Sequence, residues 1–327
     1  MKILHVHLTD HPIPPVDYGG TERVLWALVL GQQTLGHEVR ILAKSNPGRH
    51  SFVQCLDAAR PLEAQLDGWA DIVHFHWPHD GDLATPFVCT QHGNRGNQTP
   101  YPLNTIFLSQ KHAAIHDAEC HVYNGLHWPE YGDVQWDTPR TGIHFLAKAS
   151  NGNKNLRGAV RIARKAGLPL RVLGGRRLNL KSNKYFYAGR DLAFHGMVND
   201  AEKRFLLNRS QALLFPVLWH EPFGLAIIES LYYGCPVIAS AYGSLPELVH
   251  DDIGLASNSE SALVEALHHL GRFDRRACHE YARTRFDHLT MSRAYLDCYA
   301  RVLAGETLNP RPPATRTDAL VSLTLEP

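Results

Sequence analysis

Apolar and polar residues alternate through Lys2-Ile3-Leu4-His5-Val6-His7-Leu8, the two-residue period of a strand. The period then lengthens to that of a helix over 21–36, which stops at Gly36. Residues 37–43 form a second strand pattern, and short apolar runs at 70–76 and 86–92 predict two buried strands. The stretches 104–110 and 120–125 continue the series. Around 128–141 the pattern becomes irregular, and a domain boundary is placed there. A second series begins at Gly142. It has strands at 142–150, 168–175, 191–197 and 212–217, helices at 155–167 and 200–210, and a further helix at 259–272. Strands alternating with helices predict an α/β chain built on parallel, doubly wound sheets. Two such Rossmann-like domains facing each other would form a cleft, with ligands at the carboxyl ends of the strands. The expected division is 1–140, 141–286, a last helix at 287–305, and a loose Pro-rich tail at 306–327.

Composition narrows the class. The chain has 327 residues, 44% hydrophobic and 20% charged, as expected of a two-domain globular protein. No apolar run approaches the ~18 residues of a membrane span, and the N-terminus lacks the apolar core of a secretory signal. The six cysteines (55, 89, 120, 235, 278, 298) are scattered without a C-x-x-C pair, which predicts reduced thiols in a cytoplasmic protein. Net charge is +1, but unevenly spread. Residues 1–140 carry 9 Lys and Arg against 15 Asp and Glu, and residues 141–327 carry 24 against 17. A basic second half suits an anionic ligand such as a nucleotide diphosphate. No basic run is interleaved with aromatics, which argues against nucleic acid as a partner.

The densest chemistry lies in His220-Glu221-Pro222-Phe223-Gly224-Leu225-Ala226-Ile227-Ile228-Glu229. Two carboxylates sit eight positions apart at the start of an apolar helix, with Pro222 read as just inside that helix and Gly234 just past its end. Eight helical residues rise about 12 Å. Glu221 precedes a proline and so falls just outside the helix. The pair would then span one elongated ligand, with the amides of Phe223, Gly224 and Leu225 between its ends. Three further segments could contact an anion. Gly19 and Gly20, in Asp17-Tyr18-Gly19-Gly20-Thr21, follow the first strand and open a helix. Lys148 and Lys154 flank a strand-to-helix loop, where fixed cations would stabilise a departing diphosphate. Gly174 and Gly175 end a strand and are equally read as turn glycines.

The Glu221–Glu229 segment, with Gly234-Cys235-Pro236-Val237-Ile238 and Gly243-Ser244-Leu245-Pro246-Glu247 after it, resembles the E-x7-E signature of the family 4 retaining glycosyltransferases, which have the GT-B fold. The resemblance covers about residues 1–305 and implies two Rossmann-like domains facing across a cleft, with 287–305 crossing back onto the N-terminal domain. It implies transfer of a sugar from a nucleotide-diphosphate-sugar donor to a hydroxyl of a glycan, lipid-linked or small-molecule acceptor. Glu229 would hold the donor ribose, and Glu221 with the 223–225 amides would hold the sugar. Lys148, Lys154, Gly19 and Gly20 would face the diphosphate, and Met197 and Val198 the base. His92, in a Thr-x-His-Gly match, would position the sugar or the acceptor. Lys148 stands where the family usually has Arg, and a point charge replaces a planar fork there. Glu221 remains open as a nucleophile.

The resemblance also implies that no metal or cofactor is needed. His5 and His7, like His74 and His76, share a strand face, so a metal site could be drawn from them; metal sites need three convergent ligands, which sequence cannot show. Asp80-Gly81-Asp82 is read as a loop. The acceptor would meet loops 43–60, 77–86 and 93–104, and any membrane contact would be peripheral, at the inner face. Two other functions stay open: a nucleotide-sugar epimerase, which would convert donor alone, and a non-catalytic sugar-nucleotide-binding module.

Overall fold

A computed structural model of the chain describes residues 1–15, 19–66, 68–94, 100–181, 183–316 and 323–326. Asp17 and Tyr18 of the glycine segment, and 95–99 of one expected acceptor loop, lie outside them. The chain forms two compact units, Met1–Trp128 with Phe286–Ala319, and Pro129–Arg285 with Leu320–Pro327.

The first unit holds β1 (Lys2–His7), β2 (Glu38–Ala43), β3 (Val53–Cys55), β4 (Ile72–Phe75), β5 (Phe87–Thr90) and β6 (Thr105–Ile106) in a sheet of order β3-β2-β1-β4-β5-β6. Every pairing is parallel. The central strands are covered on both faces, as parallel sheets require, so the histidines of β1 and β4 are as buried as Ile3 and Val73. The register sets His5 against His74. Helix α1 (Gly20–Thr34) buries Leu25, Leu28 and Val29 together with the polar Glu22 and Gln32. The short α2 (Gln110–Ile115) is capped by Ser109, whose side chain accepts from the amide of His112.

The second unit repeats the plan. Strands β7 (Ile143–Leu146), β8 (Leu170–Leu173), β11 (Leu192–Phe194), β12 (Leu213–Phe215), β13 (Val237–Ala239) and β14 (Gly254–Ala256) form a sheet of order β11-β8-β7-β12-β13-β14. Between β8 and β11, β9 (Leu178–Asn179) and β10 (Tyr185–Phe186) make a separate antiparallel pair. The helices are α3 (Leu156–Lys165), α4 (Asp200–Leu207), α5 (Leu225–Tyr232), α6 (Leu245–Leu248), α7 (Glu260–His268) and α8 (Arg275–Arg285). Asn155 and Asn199 cap α3 and α4 by accepting from Gly158 and Glu202. The last helix, α9 (His288–Leu303), belongs to the first unit and packs on α1. Gly31 permits that approach, since a Cβ there would lie 2.2 Å from Ser292 Oγ and 2.8 Å from the His288 carbonyl.

Three sequence expectations need correcting. Residues 120–125 are not a strand; among the described residues they make one isolated bridge, His121 to Phe107. Pro222 is not inside the helix, because α5 begins at Leu225 with Gly224 as its cap at φ 94°. The tail is not loose where it is described. Asn309, buried, accepts from the amides of Glu119 and Cys120 and donates to the carbonyls of Leu103 and Thr105. Pro313, Ala314 and Arg316 then bond to the backbone of Tyr101, His116 and Ile115.

Candidate active site

Two carboxylates of the second unit are held in the same way. Glu221, in the loop before α5, is 7% exposed. Its Oε2 accepts from Lys154 Nζ at 2.5 Å and Trp219 Nε1 at 2.8 Å. Glu229, in the middle of α5, is also 7% exposed. Its Oε1 accepts from Lys203 Nζ at 2.6 Å and Tyr131 OH at 2.9 Å. Each carboxylate thus gives one oxygen to a lysine and an aromatic donor. The other oxygen has no hydrogen-bond partner among the described residues. A buried anion without a cation would be costly; the lysines remove that cost and leave one acceptor oxygen per site for a ligand hydroxyl.

The backbone holds Glu221 from both sides. Its carbonyl accepts from Ser244 N at 2.9 Å, and Ser244 Oγ donates to the Phe223 carbonyl at 2.6 Å. Gly243 lies against the same residue at φ 65°, where a Cβ would come 2.3 Å from the Glu221 backbone. Between the carboxylates α5 starts with a left-handed Gly224. Its first-turn amides, including Leu225 N, have no acceptor within the helix and give that end a partial positive charge. Lys154 ends a 3-10 turn, Gly152–Lys154, which is tied down by Leu218 N donating to Asn153 O at 2.8 Å and by Asn155 Nδ2 donating to Pro216 O at 2.8 Å. The ammonium also lies 4.7 Å from the Trp219 ring centroid. Lys148, at the end of β7, is exposed, and its ammonium has no partner among the described residues. Met197 is 52% exposed and Val198 is half-buried, in the loop after β11. Gly174, at φ 117°, lets the end of β8 pass the end of β7, since a Cβ there would meet the Ala147 carbonyl at 2.1 Å.

Of the residues named from sequence in this unit, the structure joins Glu221 directly to Lys154, and sets Gly224 and Leu225 at the head of the helix that carries Glu229. Lys148, Met197 and Val198 make no hydrogen bond or ion pair with either carboxylate among the described residues. Sequence reasoning missed Lys203, Tyr131 and Trp219. Lys203 did leave a signal: it is buried on the face of α4 that carries Leu206 and Leu207, where a lysine needs a partner. Tyr131 left none, since it lies 98 positions from Glu229.

In the first unit His92 follows β5 and is half-buried. Its Nε2 lies 3.0 Å from His76 Nδ1. Burial pushes it down to about 3, so it is neutral at pH 7. Gly19 caps α1, and Gly20 is its first residue. Two residues on, the buried Glu22 accepts from His7 Nε2 at 3.0 Å and Thr9 Oγ1 at 2.9 Å. Burial pushes the Glu22 carboxyl up, but bonds from His7, its own backbone and Thr9 outweigh it and hold it at about 2. The His7 ring meets His76 edge-on at 5.8 Å, so the glycine turn and His92 are linked through two imidazoles.

His5, His74 and His76 do converge, all buried, with ring nitrogens within 4.8 Å of one another. These nitrogens have protein partners. His5 lies 2.8 Å from Gln32 Oε1 and 3.0 Å from His76; His74 lies 2.7 Å from both Tyr299 OH and Thr90 Oγ1; His76 also meets His92. A cation there would have to displace hydrogen bonds already made.

Residues 142–285 match the family described as glycosyl transferases group 1. An uncharacterized 41.2 kDa protein in the cps region of Klebsiella pneumoniae is 33% identical over 116 residues, covering 33% of this chain and 32% of the relative. The chain therefore matches about a third of that relative's length. The O-antigen chain mannosyltransferase C of Escherichia coli is 23% identical over 367 aligned residues, 92% of this chain and 98% of the relative. The crystal structure of AviGT4, a glycosyltransferase involved in avilamycin A biosynthesis, has a TM-score of 0.75 at 21% identity, covering 94% of this chain and 99% of that one. That likeness shows the fold, two Rossmann-like sheets of the GT-B kind. Residues 142–285, the part that matches the glycosyl transferases of group 1, carry Lys148, Lys154, Glu221 and Glu229.

Proposed function

We propose that the protein is a retaining glycosyltransferase acting on a nucleotide-diphosphate-sugar. The observation that carries this reading is the matched pair of buried carboxylates, Glu221 and Glu229, each with one oxygen held by a lysine and one left without a partner. Such an oxygen accepts from a hydroxyl, and a nucleotide-sugar presents hydroxyls at both ends, on the ribose and on the sugar. In this reading Glu229 takes the ribose and Glu221 the sugar, with the amides of 223–225 beside it. Met197 and Val198 face the base.

Lys154 is already paired with Glu221, so the exposed Lys148 is the cation with charge to spare for the diphosphate. The positive end of α5 adds to it; the glycine turn at Gly19 and Gly20 is our candidate for a further diphosphate contact. The bond from the anomeric carbon to the diphosphate breaks with its electron pair going to the phosphate oxygen. The acceptor oxygen bonds the same carbon on the same face, and its proton passes to the departing phosphate. Lys148, Lys154 and the helix end stabilise charge as it develops, so the proposed step draws on no metal or cofactor. His92 positions the sugar or the acceptor hydroxyl. Glu221, tied to Lys154 and Trp219, serves as a binding group in this scheme and not as a nucleophile.

The likeness to a protein of a cps region and to an O-antigen mannosyltransferase supports a product in cell-surface polysaccharide, lipopolysaccharide or a related glycoconjugate. No described helix is long and apolar enough to cross a membrane. We place the reaction in the cytoplasm, with at most peripheral contact at the inner face of the membrane. Calorimetry against a panel of nucleotide-sugars tests the reading. Glu229→Ala should weaken donor binding by about 10- to 100-fold, the loss of a charge-assisted hydrogen bond, whereas His92→Ala should keep donor affinity and lose turnover. Unchanged donor affinity in Glu229→Ala, or wild-type turnover in His92→Ala, would remove that residue from the site.

A further inference from the structure

His92 does not stand alone. It ends an unbroken chain of hydrogen bonds, buried beyond its first link: His92 to His76 at 3.0 Å, His76 to His5 at 3.0 Å, His5 to Gln32 at 2.8 Å, and Gln32 to Tyr299 at 3.2 Å. It continues from Tyr299 to His74 at 2.7 Å, from His74 to Thr90 at 2.7 Å, and from Thr90 to Tyr295 at 3.2 Å. In such a chain the protons are not independent. A neutral imidazole has one N–H and one bare nitrogen, so each link fixes the next.

Gln32 sets the direction. Its Oε1 faces His5 Nε2, and a carbonyl oxygen only accepts, so His5 carries its proton on Nε2. A neutral His5 then offers a bare Nδ1, which makes His76 Nε2 the donor. The bare Nδ1 of His76 makes His92 Nε2 the donor in turn. On the other side, Gln32 Nε2 donates to the Tyr299 hydroxyl, whose single proton goes to His74 Nδ1; His74 Nε2 donates to Thr90, and Thr90 to Tyr295. Each bond then has one donor and one acceptor, and every bond runs the same way. The rings are neutral at pH 7, since burial holds His5 at about 4 and His92 at about 3, with His74 and His76 well below the usual imidazole value. Turning the Gln32 amide over would reverse the whole chain, so one side-chain amide selects the tautomer of an imidazole three links away.

We propose that Gln32, acting through His5 and His76, is the positioning group that fixes His92 as its Nε2–H tautomer with Nδ1 bare. That nitrogen has no partner among the described residues. His92 would therefore meet its substrate as a hydrogen-bond acceptor, taking a bond from a hydroxyl of the sugar or the acceptor and giving none. This deepens the role proposed for His92 and rests on it only where substrate is concerned; the tautomer is a property of the protein alone.

The test is nitrogen-15 imidazole spectroscopy of the full-length protein at pH 7, with His5, His76 and His92 assigned by single substitution. All three should carry the proton on Nε2. A wild-type spectrum with His92 protonated on Nδ1, or an even mixture of tautomers, would overturn the proposal without any variant being needed. In Gln32→Leu the tautomer ratio at His92 should fall by about 10-fold, on the order of one buried hydrogen bond left unmade, with kcat falling and donor KM unmoved. Gln32→Glu keeps an acceptor for His5 and should keep the wild-type tautomer, although it too loses the bond to Tyr299. A merely structural Gln32 would make both variants alike and leave the tautomer where it was, which would overturn the relay. A correct tautomer together with full turnover in His92→Ala would instead overturn the site reading and leave the relay standing.

Discussion

Lowering the pH from 7.0 to 5.5 should loosen the first unit far more than the second. His5, His74 and His76 are buried as neutral rings, the first at about 4 and the others well below the ordinary value, with burial the leading cause in each. In the unfolded chain they titrate near 6.5. Because their folded values are depressed, the unfolded state binds more protons below pH 6.5, so stability is present above that value and is lost as pH falls toward the folded values. Linkage gives about 1.4 kcal/mol per histidine per pH unit once below 6.5. For three rings the loss between pH 7.0 and 5.5 comes to about 4 kcal/mol. His92, His112 and His116, also in the first unit and also depressed chiefly by burial, add to it. In the second unit His144 is a comparable group, at about 3, for a loss of about 1 kcal/mol. The carboxyl of Glu22 does not enter this window, because it titrates at about 2. Hydrogen exchange read by mass spectrometry separates the units, with β1 and β4 peptides reporting on the first and β12 and β13 peptides on the second. After correction for intrinsic exchange rates, protection in β1 and β4 should drop by at least about two powers of ten more than in β12 and β13, the difference of about 3 kcal/mol from the three rings alone. An equal drop in both, or none in β1, would refute the account of these histidines as neutral in the fold.

Two substitutions probe other parts of the structure. Lys203→Met leaves Glu229 buried without its cation and should cost about 3–5 kcal/mol, seen as a lower thermal midpoint; adding Glu229→Gln should return most of that stability while donor binding stays lost. Asn309→Ala leaves two amides and two carbonyls of the 103–120 region without the bonds they now make. It should release the tail, with rapid cleavage of 306–316 by added protease as the readout and unchanged cleavage as the contrary result.

Much of the fold was legible because its signals are local. The two-residue period of β1, the apolar face of α1 and the Gly36 stop each arise within one element. Helix α8 was not legible: of Arg275–Arg285, only Cys278 and Ala282 are buried, too few to mark a face. The tail looked loose because its prolines are frequent, whereas what docks it is one asparagine bonding to backbone 189 to 206 positions away. The two carboxylates could be picked out by their spacing, but their partners Lys203 and Tyr131 come from other elements and are brought in only by tertiary packing.

The histidines show the same limit from the other side. In the sequence His5, His7, His74 and His76 could be drawn as a metal site or set aside as strand residues, and nothing local separates these readings. The deciding residue is Gln32, a polar side chain buried on α1 beside apolar Leu28 and Val29. A buried primary amide needs both a donor and an acceptor partner. Gln32 finds them in a histidine of β1 and a tyrosine of α9, two rings whose other bonds lead on through the sheet. Once those bonds are made, the ring nitrogens that could have gathered a cation are committed to ordering protons. A buried polar chain of this kind is stabilising when its members are paired, and along this one each group from Thr90 to His76 has a partner on both sides, with the fully buried Tyr295 at one end and the half-buried His92 at the other.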